Sequence, residues 1–149
     1  MAKGGSRKTS LKYQLFVSHG WDDRWVAGQM ARLAEEKAGV SAFVDIYDIK
    51  TGDRIADHVK NGLTACDELV ALLTPRSAGR SWIWTEIGGV WTANKRVVGV
   101  LYGLTFDEIR NHYGGAACLE GVNCITIDEF EAYVEQLARR AAAQARGKQ

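Results

Sequence analysis

The chain has 149 residues, 46% of them hydrophobic and 25% charged, a composition typical of one compact domain. A chain of this length buries a full hydrophobic core without help from disulfides or a structural metal. Its three cysteines, Cys66, Cys118 and Cys124, include no C-x-x-C pair. No apolar run approaches the roughly 18 residues of a membrane span, and no signal-peptide pattern follows the N-terminus. We therefore expect a cytoplasmic protein with no metal site and no membrane partner.

The formal net charge of +1 is unevenly distributed. The first 12 and the last 11 residues hold eight cations and no acid, which leaves residues 13–138 at about −7. We expect residues 1–12 to form a basic, flexible N-terminal arm, residues 13–146 one domain, and residues 147–149 a tail. The acidic body argues against nucleic acid as a partner, although the tails alone would suit RNA or anionic lipid.

The first half of the chain predicts two strand and helix pairs. Residues 13–17 form an apolar strand, and a helix follows from Asp22 to Ala38, with an apolar stripe that Gly39 ends. That stripe consists of Val26, Met30, Leu33 and Lys37, widened by Trp25 and Ala34. Residues 40–44 form the second strand, and a long polar loop leads to a second helix that Asp53 caps and that Ile55, Val59 and Leu63 mark.

The second half continues the alternation. Predicted strands cover residues 69–73, 97–102 and 122–127. Predicted helices cover residues 82–94, with Ser81 as the N-cap, and residues 106–111. A last helix is marked by the apolar residues Phe130, Tyr133, Val134, Leu137 and Ala141. Such alternation favours parallel strands joined by right-handed crossovers. We predict a three-layer α/β sandwich, a five-stranded parallel sheet with helices on both faces.

Glu86 is the one carboxylate between Leu69 and Phe106. Trp82 lies one helical turn before it, and Gly89 and Val90 lie one turn after it, so an indole, a carboxylate and a patch without side chains share one predicted face, on which a flat ring can stack. Glycines at 88 and 89 cost about 1 kcal/mol each inside a helix, which suggests close approach by a strand or a ligand. The alternative is a buried glutamate paired with an arginine, with the glycines packed on the sheet.

Polar residues follow the first two predicted strands, at the sheet edge where open α/β folds bind their ligands. Ser18, His19, Gly20 and Trp21 leave the first strand, and Asp45 ends the second. Asp45 is equally suited to capping its own loop as an Asx-turn, and His19 to an ordinary hydrogen bond within the loop.

Several catalytic signatures are absent. No G-x-G-x-x-G follows the first strand, residues 4–9 lack the second glycine of a P-loop, and the segment around Ser81 breaks the G-x-S-x-G pattern. These absences exclude the common dinucleotide-binding and triphosphate-binding motifs and disfavour a serine hydrolase. A response-regulator receiver domain needs a phosphate-accepting aspartate at the end of its third strand, and this strand ends in Leu72-Leu73-Thr74.

Four segments together resemble the TIR (Toll/interleukin-1 receptor) domain family, especially its bacterial members, over about residues 13–137. Leu15-Phe16-Val17-Ser18-His19 is similar to the first-strand box of the family, and the segment from Asp45 to Gly52 is similar to its strand-B aspartate and BB loop. Leu73-Thr74-Pro75, with Ser81-Trp82 and Glu86, is similar to the L-S-P … S-x-W-x-x-x-E segment. Glu86-Ile87-Gly88-Gly89-Val90-Trp91 is similar to the E-x-G-x-x-W continuation. Two details depart from the family: Arg80 stands where it has a serine, and no proline interrupts the fourth strand.

The resemblance implies a flavodoxin-like sheet of strand order 2-1-3-4-5 and a glutamate, Glu86, that cleaves the nicotinamide–ribose bond of NAD⁺. Nicotinamide leaves as a neutral molecule, so one carboxylate that stabilises the ribosyl cation suffices, unlike the usual carboxylate pair of glycosidases. The implied substrate-binding residues are Ser18, His19, Gly20, Trp21, Asp45 and Trp82, with Trp82 stacked on a ring. NAD⁺ enters as the substrate, so no cofactor is expected.

The resemblance also implies self-association. Family sites borrow the BB loop of a neighbouring subunit, so an assembly loop of Ile46, Tyr47, Asp48, Ile49, Lys50, Thr51, Gly52 and Asp53 would act in trans in a homo-oligomer or filament. An activating partner protein and a role in bacterial antiphage defence follow by analogy. The product, ADP-ribose or a cyclic isomer, is left open. The alternatives are a non-enzymatic TIR interaction module and a nucleoside deoxyribosyltransferase-like enzyme.

Overall fold

The computed structural model describes residues 12–44, 62–112 and 123–147, of which residues 81, 82 and 112 are described by backbone alone. The described residues form five strands: β1 (Gln14–Ser18), β2 (Ser41–Val44), β3 (Glu68–Leu73), β4 (Arg96–Leu101) and β5 (Asn123–Thr126). The helices are α1 (Arg24–Ala38), α2 (Ser81–Thr92), α3 (Phe106–His112) and α4 (Phe130–Gly147), with short 3-10 turns at Trp21–Asp23 and Ile127–Glu129. Residues 62–65 are also helical.

The strands form one parallel sheet in the order β2-β1-β3-β4-β5. This order confirms the predicted flavodoxin-like architecture. It places β1 and β3 side by side in the middle of the sheet, with Ser18 paired with Ala71 at their carboxyl ends. Residues that follow these two strands therefore meet at one edge, which we call the carboxyl edge.

Alternating side chains divide the core between the two faces of the sheet. Leu15 and Val17 of β1 pack with α1 and α4, whereas Phe16 between them packs on the other face with Ile83 and Ile87 of α2. A period of two residues is what a pleated strand buried on both faces produces. The helices thus cover both faces and complete the three layers.

Helix α1 corrects one part of the predicted stripe. Met30 and Ala34 are buried as expected, and Gly39 ends the helix with a left-handed φ of 69°. Trp25, however, is 72% exposed and Lys37 is exposed as well, so neither contributes to the buried stripe. The small side chain of Ala27 occupies that place against the sheet instead.

Both ends of α2 differ from the prediction. Arg80 holds the N-cap position in an extended conformation, and Ser81 is the first helical residue, so Ser81 does not cap the helix. The helix ends at Thr92 because Asn94 adopts a left-handed φ of 61°, which asparagine tolerates, and the two backbone hydrogen bonds of a Schellman motif follow.

The glycine pair of α2 does not contact the sheet. Among the described residues, a Cβ built on Gly88 or Gly89 would meet nothing within 4 Å beyond the helix itself, and Gly89 is exposed. The predicted close approach of a strand is therefore wrong, as is the alternative of glycines packed on the sheet. The residue that shares the buried face with Glu86 one turn later is Val90. Within the described ranges, no helix is both long and apolar enough to cross a membrane.

Candidate active site

Glu86 lies in the second turn of α2, on the side that faces the sheet. Its side chain is 2% exposed, among the buried residues Ile83 and Ile87. Ser18, the last residue of β1, donates its Oγ hydrogen to Oε1 of Glu86 over 2.5 Å. So short a hydroxyl–carboxylate distance is typical of a charge-assisted hydrogen bond. The Ser18 hydroxyl is thus one hydrogen-bond donor to this carboxylate.

A buried carboxylate at this position has a physical cost. Removing a charged group from water is unfavourable unless hydrogen bonds or counter-charges compensate it, so buried carboxylates are paired. The Ser18 hydroxyl supplies one such hydrogen bond and fixes the position of Oε1 relative to the end of β1. The arrangement can present a preorganised negative charge to a cation that develops nearby.

His19 continues the carboxyl edge beyond Ser18. Its ring is 2% exposed, and Nδ1 donates to the carbonyl oxygen of Gly20 over 2.7 Å, since a carbonyl can only accept. Nε2 has no hydrogen-bond partner among the described residues. Nε2 is thus a buried polar atom that a ligand could satisfy with a hydrogen bond.

Trp21 lies at the outer end of the same loop. Its side chain is 38% exposed, and the guanidinium of Arg24 lies 4.1 Å from its ring centroid in a cation–π contact. Of the four residues predicted after β1, Ser18 is the one that the described contacts bring onto Glu86. His19, Gly20 and Trp21 share its edge of the sheet without a described contact to the carboxylate.

Among the predicted site residues, three assignments lie outside the described residues, as do the N-terminal arm at residues 1–11 and the helix predicted from Asp53 as far as residue 61. Asp45 and the assembly loop at residues 46–53 belong to a segment that the structure does not describe, and the side chain of Trp82 is likewise not described. Their assignments to substrate and assembly stay predictions.

A second buried carboxylate at the carboxyl edge was not predicted from the sequence. Asp23, 2% exposed, accepts from Oγ1 of Thr74 and from Nη2 of Arg76, each over 2.6 Å. The hydrogen bond and the charge of Asp23 raise the pKa of the exposed Arg76 guanidinium. The sequence signal was the pair Asp22-Asp23 directly after a strand, but its partners lie more than 50 residues away.

Another buried glutamate lies at the opposite, amino edge of the sheet. Glu68, the first residue of β3, is 0% exposed; it accepts from the hydroxyls of Tyr13 and Tyr133 and forms an ion pair with Arg140 through two hydrogen bonds. Burial and the neighbouring carboxylate raise the pKa of both tyrosines. This cluster ties α4 to β1 and β3, far from the ends of the strands where ligands bind.

The described residues contain no group of three or more His, Cys, Asp or Glu side chains that could hold a metal ion.

Comparison with known proteins decides the family. A family model described as the TIR domain matches residues 15–138, most of the chain. The chain belongs to the TIR domain family. Its match includes Ser18, Asp23 and Glu86.

Two relatives illustrate the range of the family. A Brucella abortus (strain 2308) protein named "Probable 2′ cyclic ADP-D-ribose synthase TcpB" is 23% identical over 103 residues, which cover 66% of this chain and 41% of that protein. A Brachypodium distachyon protein named "Probable 2′ cyclic ADP-D-ribose synthase BdTIR" is 20% identical over 99 residues, covering 66% of this chain and 44% of that one. The match thus spans less than half the length of these relatives.

Solved structures share the fold at low identity. The TIR domains of the activated Roq1 resistosome, which recognises the pathogen effector XopQ, superpose with a TM-score of 0.56 at 19% identity, covering 87% of this chain and 84% of that chain. The CMP N-glycosidase BcmB of Clostridium botulinum superposes with a TM-score of 0.50 at 14% identity, covering 83% and 97%. At these identities, the two superpositions show that the chain shares the flavodoxin-like fold.

Proposed function

We propose that this TIR domain cleaves the nicotinamide–ribose bond of NAD⁺ and that Glu86 is the catalytic residue. The observation that carries the proposal is a buried carboxylate, held by the Ser18 hydroxyl at 2.5 Å, at the carboxyl edge of the sheet. Membership of the TIR family and the names of two relatives as cyclic ADP-ribose synthases support the same chemistry.

The chemistry follows from the charges. The nicotinamide of NAD⁺ is a cationic leaving group that departs neutral, so its departure needs no proton donor, and positive charge passes to the ribose. A carboxylate shielded from water by the sheet and by α2 stabilises that charge more strongly than a solvated one would. Ser18 keeps Oε1 in place, so little reorganisation is needed as the bond breaks.

The substrate is proposed to occupy the carboxyl edge. NAD⁺ would contact Ser18, His19, Gly20, Trp21, Asp45 and Trp82, with Trp82 stacked on a ring. Nε2 of His19, which has no hydrogen-bond partner among the described residues, would be available to a polar group of the substrate. We assign the assembly loop at residues 46–53 to a neighbouring subunit's site, so that activity requires a homo-oligomer or filament. NAD⁺ is the substrate, and the reaction needs no further cofactor.

The names of the relatives favour a cyclic product over linear ADP-ribose. Cyclisation requires that the adenine, rather than water, attacks the ribosyl cation, and an aromatic residue near the site can fold the adenine back for this purpose. An activating partner and a role in antiphage defence stay predictions.

The test is a product analysis. NAD⁺ is incubated with a concentration series of the protein, and nicotinamide, ADP-ribose and cyclic isomers are separated by chromatography. We expect nicotinamide in an amount that rises faster than the protein concentration, together with a cyclic or linear ADP-ribose. Intact NAD⁺ at the highest concentration would contradict the proposal.

The same assay separates the two alternatives. A deoxyribosyltransferase-like enzyme would leave NAD⁺ intact and exchange the base of a deoxynucleoside when a free base is supplied. An interaction module would consume neither substrate, although it would still self-associate.

A further inference from the structure

Two loops at the carboxyl edge are joined by a hydrogen-bonded unit that the proposed chemistry does not use directly. We call this unit the Asp23 clamp; it consists of Asp23, Thr74, Arg76 and Ser77. Asp23 belongs to the loop that leaves β1, and the other three belong to the loop that leaves β3. The Asp23 carboxylate accepts from Thr74 Oγ1 and from Arg76 Nη2, each over 2.6 Å.

The clamp is rigid on the β3 side. The backbone N–H of Thr74 donates to Oγ of Ser77 over 2.9 Å, and that hydroxyl donates to the carbonyl of Leu72 over 3.0 Å. Thr74 and Ser77 are each 1% exposed. A buried, fully paired network of this kind has one low-energy arrangement, because breaking any member leaves a polar group without water or a partner.

The clamp also brings the two loops into direct contact. A Cβ built on Gly20 would lie 3.1 Å from Cβ of Ser77, closer than side chains normally approach. On the far side, Nε1 of Trp84 in α2 donates to the carbonyl of Ala78 over 2.8 Å, which fixes α2 to the loop that leaves β3.

These contacts close a ring through the proposed catalytic residue. The path leads from Glu86 to Ser18, along the loop to Asp23, across to Thr74 and Ala78, and back through Trp84 to α2. The position of Glu86 relative to β1 is therefore set twice, once by Ser18 directly and once through the clamp. We propose that Asp23 is a positioning residue for Glu86 and that the Thr74 hydroxyl is its essential partner. The inference rests on the proposed function.

A matched pair of variants tests the clamp. Thr74→Val removes a hydroxyl that donates over 2.6 Å to a buried carboxylate at the carboxyl edge. Tyr13→Phe removes a hydroxyl that donates over 2.6 Å to buried Glu68 at the amino edge. Both variants are expected to lower the melting temperature, and only the first is expected to move Glu86.

Two readouts are compared in the full chain. For nicotinamide release from NAD⁺, we expect Thr74→Val to lower kcat about tenfold with KM nearly unchanged, Thr74→Ser to restore kcat, and Tyr13→Phe to leave it within about twofold. For amide hydrogen exchange, we expect Thr74→Val to speed exchange at residues 18–20 and 81–87 about tenfold, with no such change in Tyr13→Phe.

The outcomes are separable. Wild-type exchange at residues 18–20 and 81–87 in Thr74→Val would overturn the positioning role, whatever the activity. So would equal kcat losses in Thr74→Val and Tyr13→Phe, which would indicate a general loss of stability. If the wild type releases no nicotinamide, the proposed function fails, and the exchange data alone decide whether the clamp holds α2.

Discussion

At the scale of single residues, the contact between Ser18 and Glu86 joins positions 68 residues apart. Ser18 is small and buried at the end of β1, and its hydroxyl lies within hydrogen-bond distance of the carboxylate. We regard this hydrogen bond as the contact that orients Oε1 before substrate binds.

Removing that hydroxyl gives the first prediction. Ser18→Ala is expected to lower kcat for nicotinamide release roughly tenfold to a hundredfold, since hydrogen bonds to charged groups contribute about 1.5–3 kcal/mol. Steady-state assays with Thr92→Ala as control measure it, because Thr92 carries an exposed hydroxyl on the same helix. Equal activity of the Ser18 and Thr92 variants would show that the contact has no catalytic role.

Sequence reasoning identified Ser18 and Glu86 but not their contact, and it missed Asp23 and Glu68 as buried acids. Local patterns report helix faces and strand ends, whereas the partners of Asp23 and Glu68 lie more than 50 residues away along the chain. A charge pattern gives no sign of such a pairing until the sheet order is known.

At the scale of elements, β3 and β4 were predictable because each is a short apolar run buried almost entirely on both faces, as central parallel strands are. The helix ends were harder to predict. Serine is a residue type that favours the N-cap position, yet Arg80 occupies that position in the extended conformation and Ser81 is the first helical residue. The glycines of α2 likewise follow no packing constraint within the described residues.

Helix α1 offers a test of backbone effects away from the candidate site. Gly28→Ala is expected to raise the free energy of unfolding by about 0.5–1 kcal/mol, since a Cβ there meets nothing within 4 Å and alanine is the better helix former. Gly39→Ala is expected to lower it by about 1 kcal/mol, because φ is 69° at that position. Urea unfolding measures both, and destabilisation by Gly28→Ala would contradict the described surroundings of that residue.

At the scale of the whole molecule, stability is expected to fall at alkaline pH. Burial raises the pKa of the Cys66 thiol to about 11. Burial and Glu68 also raise the pKa of Tyr13 and Tyr133 above their usual value. Each group holds its proton more tightly in the folded chain than in the unfolded one, so unfolding becomes easier as pH rises.

The window for Cys66 follows from its own values. Its contribution is fully present below about pH 9, the usual range of the thiol, and is lost as pH rises towards 11. Urea unfolding at a series of pH values measures the decline, and Cys66→Ala is expected to reduce its slope. Stability that stays constant or increases over this range would contradict the assignment.

The central claim is that one of two buried glutamates is catalytic, and the chain supplies its own control for it. Glu86 and Glu68 are both nearly inaccessible and both accept hydroxyl hydrogen bonds, but they lie at opposite edges of the sheet.

The deciding measurement is nicotinamide release from NAD⁺ by concentrated Glu86→Gln and Glu68→Gln protein, with melting temperatures recorded alongside. We predict that Glu86→Gln lowers release at least about a hundredfold while melting within a few degrees of the wild type. Glu68→Gln should melt earlier, because Arg140 loses its ion pair, yet keep its activity per folded molecule. Release that survives in Glu86→Gln would contradict the account.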